Sequence, residues 1–127
     1  DLEKICDYVA ENDPKLLFVQ FDEVDGAGHG HGYGTEKHLA QITVEDGYIG
    51  RIWEMYEKRG FAEDTLFIVT ADHGGHDRTH GTEMPEDMTI PTFFIGKRFT
   101  PGKKLEGVSI LDLAPTIADV MGVPAAE

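Results

Sequence analysis

Cysteine, basic residues and long apolar segments are scarce in this 127-residue chain, and each scarcity excludes a class of protein. Cys6 is the only cysteine, so neither an internal disulfide nor a cysteine-based zinc cluster can form. No apolar run approaches the ~20 residues that a membrane-spanning helix needs, and we expect no membrane insertion. With 11 basic and 24 acidic residues the net charge is −13, which argues against binding a nucleic-acid polymer or an anionic membrane through a basic face.

The start of the chain also lacks familiar features. The sequence begins at Asp1, with neither an initiator methionine nor a hydrophobic signal region, which predicts a processed chain or a piece of a longer one. No serine or threonine precedes Thr35. The length suits a single domain with one core.

Five of the six histidines lie in two glycine-rich segments that also carry carboxylates. Residues 24–34 read VDGAGHGHGYG, and residues 71–81 read ADHGGHDRTHG. Imidazole and carboxylate groups are the ordinary ligands of zinc and similar divalent ions where thiolate is absent. Glycine allows tight turns, so that neighbouring side chains can converge. The two segments therefore predict a metal site built from loops.

Hydrophobic periodicity predicts an α/β fold with a mainly parallel sheet. The predicted elements, in chain order, are a helix at Leu2–Glu11, a strand at Leu16–Phe21, a long helix at Glu36–Arg59, strands at Leu66–Thr70 and Ile90–Ile95, and a final helix starting at Asp112 and closed by Gly122. Gly47 weakens the middle of the long helix by ~1 kcal/mol relative to alanine, which leaves a kink or a break there open. We expect His38, near the start of that helix, to be a solvated side chain.

The order strand, helix, strand predicts a right-handed βαβ unit. Both strands of such a unit point the same way, so both histidine-bearing segments would emerge at the same edge of the sheet, where open α/β sheets bind ligands. The candidate ligands are five side chains: Asp25, His29, Asp72, His73 and His80. Five exceed what one tetrahedral zinc needs and indicate two ions in one cleft, as in phosphoryl transfer. His31 and His76 are weaker candidates, with supporting or surface roles favoured.

Four segments, in the same order, resemble a known family. Residues 25–32 resemble the Asp-x-x-Gly-His-x-x-Gly element of type I phosphodiesterases and nucleotide pyrophosphatases, which belong to the alkaline phosphatase superfamily. Residues 70–75 are similar to the Asp-His-Gly metal motif of that superfamily, and residues 80–91 to the segment with its last histidine ligand. Residues 112–122 resemble the helix that closes its domain. The resemblance covers nearly the whole chain.

The resemblance implies an alkaline phosphatase-like α/β/α sandwich and a metal-dependent phosphoric-ester hydrolase. One zinc would be held by Asp25, His29 and His80, and a second in part by Asp72 and His73. Manganese tolerates the same ligands. A small phosphoester would bind between the ions, one activating a Thr or Ser nucleophile and the other stabilising charge on the phosphoryl and leaving oxygens.

The nucleophile is the point of departure from the family. Its strand and loop should precede Asp25, but only 24 residues stand there. We therefore expect residues 1–127 to be the C-terminal metal-binding portion of a larger catalytic domain. Its partner would be the N-terminal part of its own polypeptide, and this chain alone would be inactive.

The sequence also leaves other interpretations open. A sulfatase or a cofactor-independent phosphomutase of the same superfamily would share the Asp-His-Gly motif, although residues 25–32 favour the phosphodiesterase branch. A non-catalytic module with a closed structural zinc site, and a folded remnant that binds no metal, are the alternatives outside enzymes.

Overall fold

The structure is a computed structural model that describes residues 2–125. The helices are α1 (Leu2–Asn12), α2 (Glu23–His31), α3 (Glu36–Lys58), α4 (Pro85–Met88) and α5 (Leu113–Met121), the strands are β1 (Phe67–Thr70) and β2 (Thr92–Ile95), and short 3-10 turns lie at Ala62–Asp64 and Ile110–Asp112. The mixed α/β class predicted from the sequence is confirmed. No described helix combines the length and the apolar character needed to cross a membrane.

Helix α3 is the longest element, and the core forms along one side of it. The Thr35 hydroxyl caps its first turn by accepting from the His38 N–H at 3.4 Å. The helix continues unbroken past Gly47 to Lys58, so the kink left open by the sequence is not present. Ile52 and Tyr56 of α3 pack with Val9 of α1, and these three are the buried apolar residues of the described chain.

The sheet differs from the parallel sheet that the sequence predicted. β1 and β2 pair antiparallel, with Phe67 opposite Ile95 and Thr70 opposite Thr92, and they form the two-stranded sheet of residues 2–125. The chain between them turns back through α4, whereas a parallel pair would need a crossover to the far end of the sheet. The sandwich with a mainly parallel sheet is therefore not seen within the described residues.

The predicted strand at 16–21 is wrong, and with it the predicted βαβ unit. These residues have no ladder partner in the described chain. Exposure alternates along them: Leu17 and Phe21 pack on the core, while Leu16 and Phe18 are 58% and 83% exposed. The apolar run predicted burial on both faces, but a hydrophobic pattern cannot show whether a neighbouring strand is present to accept the backbone hydrogen bonds.

The C-terminal elements agree more closely with the sequence. β1 and β2 fall inside the predicted strands, and α5 begins directly after Asp112. Pro115 lies in the first turn of α5, where a missing N–H costs no helical bond. Gly122 ends the helix in the left-handed conformation at φ 68°, as its position predicted.

Candidate metal centre

Residues 23–31 form a helix, and this corrects the loop predicted for them. In α2, Asp25 and His29 lie one turn apart on the same face, with 3.5 Å between Asp25 Oδ2 and His29 Nε2. The glycine content predicted a loop because glycine disfavours helices, but tertiary contacts outweigh propensity here. Helical spacing of the two residues, instead of glycine turns, makes them converge.

A buried carboxylate on α3 fixes the start of α2. The Val24 N–H, one of the first-turn amides that lack a partner within their own helix, donates to Glu45 Oε1 at 3.0 Å. Glu45 is only 9% exposed, and this burial raises the pKa of its carboxyl above the usual range. The contact joins α2 to the long helix and so sets the position of Asp25.

The second histidine-bearing segment follows β1 directly, and two of its backbone carbonyls tie it to α2 and to Tyr33, which follows α2. His76 and Thr79 exchange hydrogen bonds across a tight turn that places Asp77 at φ 45°. The carbonyl of Asp77 accepts from the Tyr33 N–H at 2.8 Å, and the carbonyl of Arg78 accepts from His29 Nδ1 at 2.9 Å. Both segments thus meet at one place, although the predicted parallel strands do not bring them there.

The carboxylate of Asp25 is the centre of the resulting cluster. Its Oδ1 lies 3.9 Å from His73 Nε2 and 3.7 Å from His80 Nε2. The rings of His73 and His80 stack at 3.7 Å with an angle of 16° between their planes. These three residues can each offer a ligand atom within 4.8 Å of the others. Their side chains are 28–44% exposed, so solvent reaches the cluster.

The remaining two predicted ligands lie at the margin of this group. His29 reaches Asp25 through the other carboxylate oxygen, and its ring centroid is 5.0 Å from that of His80. Asp72 is 81% exposed, with Oδ2 at 3.7 Å from His73 Nε2. All five residues are therefore neighbours. The division implied by the resemblance placed His73 with Asp72 in a second site, whereas the structure groups His73 with Asp25 and His80.

The tautomers of His29 and His73 help to decide whether a cation fits beside Asp25. A carbonyl oxygen can only accept, so the bonds from His29 Nδ1 to Arg78 O and from His73 Nδ1 to Gly74 O, at 2.9 and 2.7 Å, place the proton on Nδ1. In the neutral imidazole this leaves a lone pair on Nε2, and both Nε2 atoms face Asp25. A ring nitrogen that faces a carboxylate in this way either carries a proton, as in an ion pair, or binds a cation held between the two groups. Metal-binding histidines use this same backbone contact to fix their orientation.

The spacing of the donors is also close to what a metal requires. Tetrahedral zinc with bonds of about 2.0–2.1 Å separates its ligand atoms by roughly 3.4 Å. The separations of 3.7 and 3.9 Å around Asp25 Oδ1 exceed this by a few tenths of an ångström. One carboxylate and two or three imidazoles suit zinc or manganese. The donor set therefore fits a divalent ion, although the ligand roles themselves stay a prediction.

The other histidines take different positions. His31 ends α2, is exposed, and lies outside the group of possible ligands found in the described chain. His38 is 8% exposed, so the prediction of a solvated side chain was wrong. Its Nδ1 accepts from the Gly34 N–H at 3.2 Å and its ring lies 5.2 Å from that of Tyr33. Position near a helix start predicted exposure, but the turn before α3 folds over this side chain.

His76 contacts a carboxylate that sequence reasoning did not single out. Its Nδ1 donates to Asp87 Oδ1 at 2.7 Å, and the other oxygen of Asp87 accepts from the N–H and hydroxyl of Thr82. The bond with His76 lowers the pKa of Asp87 to about 2 and raises the pKa of His76. The Gly74 N–H donates to the Asp87 carbonyl at 2.8 Å. Asp87 therefore organises the segment that carries His73 and His80.

Tyr33 is the other residue that the sequence analysis missed. Its hydroxyl donates to Asp25 Oδ1, and this bond is the main cause of the lowered pKa of Asp25. Burial, together with the same bond, raises the pKa of Tyr33. An aromatic residue between glycines was a visible signal, but a pattern could not show which side chain its hydroxyl would reach.

Comparison with known proteins identifies the family of the chain. The family model for type I phosphodiesterase / nucleotide pyrophosphatase matches residues 2–88, which include all five candidate ligands. The chain is 34% identical over 117 residues to the low-salt glycan biosynthesis sulfotransferase Agl7 of Haloferax volcanii, covering 80% of this chain and 29% of that protein. It is 32% identical over 123 residues to a phosphopentomutase of Desulfitobacterium hafniense, covering 95% and 30%.

A third relative is the 2,3-bisphosphoglycerate-independent phosphoglycerate mutase 2 of Methanosarcina acetivorans, 30% identical over 118 residues, with 88% of this chain and 21% of that protein covered. The chain thus spans less than a third of the length of each of these relatives. No solved structure matches the chain. The family match over residues 2–88, together with these relatives, shows that the chain belongs to the type I phosphodiesterase/nucleotide pyrophosphatase family of the alkaline phosphatase superfamily.

Proposed function

We propose that this chain is the metal-binding portion of a metal-dependent phosphoric-ester hydrolase of the phosphodiesterase/nucleotide pyrophosphatase type. The observation that carries the proposal is the convergence of Asp25, His73 and His80 within 4.8 Å in a chain of this family. Their elements come from separate parts of the sequence, and the partial exposure of their side chains would let a substrate oxygen reach them. A closed structural site would surround the ion with four protein ligands instead.

Asp25, His73 and His80 would hold a divalent ion, with His29 and Asp72 placed to complete this site or to contribute to a second one. Such an ion, when bound, supplies positive charge to a phosphoryl oxygen and lowers the pKa of a hydroxyl nucleophile. That charge also explains how a chain with a net charge of −13 would accept an anionic phosphoester. The chain's own contribution is orientation: the Arg78 and Gly74 carbonyls fix the rings of His29 and His73 with Nε2 facing Asp25.

The apolar surface supports the further proposal that residues 1–127 form the C-terminal portion of an α/β/α catalytic domain. Only three apolar side chains are buried in the described residues, whereas a domain of similar length normally buries a larger core. Large apolar side chains are exposed along residues 16–18, on α3, on β2 and at 105–111. We propose that the remainder of the parent polypeptide covers this surface, extends the sheet and supplies the Thr or Ser nucleophile. By itself the chain would then be inactive.

A phosphomutase is the second candidate, because two of the relatives described above are named as mutases. Both candidates place a phosphoester at the same ions and differ in what accepts the phosphoryl group. A hydrolase passes it to water, and a mutase passes it to a second hydroxyl of the sugar or acid. The sulfotransferase relative makes a sulfate ester a third substrate to be tested.

The test uses the complete gene product, purified with zinc or manganese. Its turnover would be measured on a chromogenic phosphodiester, the matching phosphomonoester and sulfate ester, and on phosphopentoses and phosphoglycerates. We expect phosphodiester hydrolysis to dominate and to be abolished by a chelator. His73→Ala and His80→Ala should each reduce it by more than ~100-fold, since ligand loss exceeds the 10–100-fold effect of supporting residues.

His31→Ala is the matched control, because His31 lies on the same helix as His29 but outside the cluster of possible ligands in the described residues. It should retain near-normal turnover. Hydrolysis that persists in His73→Ala would refute the assignment, and phosphoryl transfer without net hydrolysis would favour the mutase.

A further inference from the structure

One phenol contacts the candidate metal centre without belonging to the predicted ligand set. The Tyr33 hydroxyl donates to Asp25 Oδ1, the same oxygen that lies 3.9 and 3.7 Å from the Nε2 atoms of His73 and His80. A carboxylate oxygen has two lone pairs, so this bond occupies one and leaves the other for an ion. The hydroxyl thereby restricts rotation of the carboxylate about its last side-chain bond.

The ring of Tyr33 is itself held from several sides. The His38 ring lies 5.2 Å away on α3, and the His29 and His80 rings lie nearly perpendicular to the Tyr33 ring, with centroids 5.9 and 6.4 Å from its own. Its backbone N–H donates to Asp77 O at 2.8 Å. A side chain fixed in this way can transmit its own position to Asp25.

Two glycines provide the space for this ring. A Cβ atom added at Gly28 would lie 2.5 Å from the Tyr33 ring, and one added at Gly75 would lie 2.6 Å from it. Both distances are well inside van der Waals contact. Gly28 comes from the helix that bears Asp25 and His29, and Gly75 from the segment that bears His73 and His80. The ring is therefore inserted between the two halves of the cluster.

We propose that Tyr33 is a positioning residue of the metal centre. Its hydroxyl holds Asp25 Oδ1 toward His73 and His80, and Gly28 and Gly75 lack side chains so that its ring can pass between the two segments. This inference rests on the proposed metal site and adds to it a residue outside the ligand set. Tyr33 itself does not bind the ion.

The first experiment measures zinc affinity by competition with a chromophoric chelator, for the native protein and for Tyr33→Phe. Phenylalanine keeps the ring and removes only the hydroxyl. We expect the Kd for Zn²⁺ to rise about 10–100-fold, the usual effect of losing a supporting hydrogen bond to a ligand. The melting temperature of the metal-free protein should change little. With Co²⁺ in place of zinc, the visible absorption spectrum should shift, because Asp25 adopts a different orientation.

Tyr48→Phe is the matched control. Tyr48 lies in α3 with its ring 5.8 Å from Phe21, and removing its hydroxyl should leave both the Kd and the cobalt spectrum unchanged. A native protein that binds no zinc would overturn the metal site and this inference together. Native binding with an unchanged Kd in Tyr33→Phe would overturn the inference alone. So would a phenolate-to-metal charge-transfer band in the native protein with Fe³⁺, because Tyr33 would then be a ligand.

The second experiment tests the role of the glycines. Gly75→Ala should weaken zinc binding although it removes no polar group, because the new methyl group displaces the Tyr33 ring. In a Tyr33→Ala background the ring is absent, and Gly75→Ala should then change the Kd less than twofold. Equal losses in both backgrounds would show that Gly75 acts independently of Tyr33 and would contradict the proposal.

Discussion

Alanine substitutions at the glycines of α2 should have opposite effects that follow the helix geometry. The Cβ of an alanine at Gly26 would meet nothing within 4 Å in the described chain, whereas at Gly28 it would lie 2.5 Å from the Tyr33 ring. Glycine is about 0.8–1.0 kcal/mol less favourable than alanine inside a helix. Gly26→Ala should therefore stabilise the protein by ~1 kcal/mol. Gly28→Ala has the same gain in propensity, but overpacking costs about 1–3 kcal/mol, so a net loss is expected.

The free energy of unfolding would be measured by urea denaturation followed by circular dichroism, with a chelator present so that metal binding does not contribute. In thermal unfolding under the same conditions, Gly26→Ala should raise the melting temperature by roughly 3–6 °C for a chain of this length. Gly30→Ala provides a second comparison, because its Cβ also meets nothing within 4 Å in the described residues, and its gain should be smaller near the helix end. A destabilising effect of Gly26→Ala equal to that of Gly28→Ala would refute the helix and with it the spacing of Asp25 and His29.

Three further predictions concern residues around the centre. Because the pKa of His76 is raised in the folded protein, this group stabilises the fold below its unfolded pKa of 6.5, and the stability is lost as the pH rises through the folded pKa. Because the pKa of Asp87 is lowered, this group stabilises the fold above its unfolded pKa of 3.8, and the stability is lost as the pH falls toward the folded pKa of about 2. The urea midpoint should thus be highest between about pH 4 and 6 and decline by pH 8, less so in His76→Gln; an identical decline in the variant would contradict the pairing. Gly74→Ala should lower the free energy of unfolding, measured by urea denaturation, by about 3 kcal/mol or more. Its Cβ would lie 2.0 Å from the Glu86 carbonyl oxygen, a backbone atom that no rotamer change can move away. Burial disfavours the charged form of Glu45 and raises its pKa, so the urea midpoint of Glu45→Gln at pH 7 should equal or exceed that of the native protein. Glu45→Ala should be less stable by about 1 kcal/mol, because it removes the acceptor of the Val24 N–H.

Local sequence patterns predicted α1, α3, α5 and the two observed strands well. Apolar residues at helical spacing placed α1 and α3 within a residue or two of their observed ends, and Gly122 marked the end of α5 through its left-handed backbone. These features depend on neighbours in the chain, which a sequence displays directly.

Features that depend on distant partners were not predictable in the same way. Residues 16–21 have the composition of a strand, but pairing requires another segment, and the described chain provides none. The glycines of α2 indicated a loop because the partners that stabilise this helix, Glu45 and Tyr33, lie outside it. His38 was predicted to be exposed for a similar reason: the groups that contact it, the Gly34 N–H and the Tyr33 ring, lie outside its helix.

The candidate site shows both situations. Residue type and glycine context singled out Asp25, His73 and His80, which the structure brings together. The sequence predicted that two loops after parallel strands would do this, whereas helix α2 and the turn at residues 76–79 do it in the structure. Asp87 was not singled out, because the sequence could not show that its side chain is buried against His76 and Thr82.

Anomalous X-ray diffraction at the zinc edge, on crystals of the protein grown with zinc, tests the central claim most directly. The account predicts an anomalous peak about 2.0–2.2 Å from Asp25 Oδ1, His73 Nε2 and His80 Nε2. A peak bound elsewhere, or zinc absent from these three atoms at saturating concentration, would contradict it.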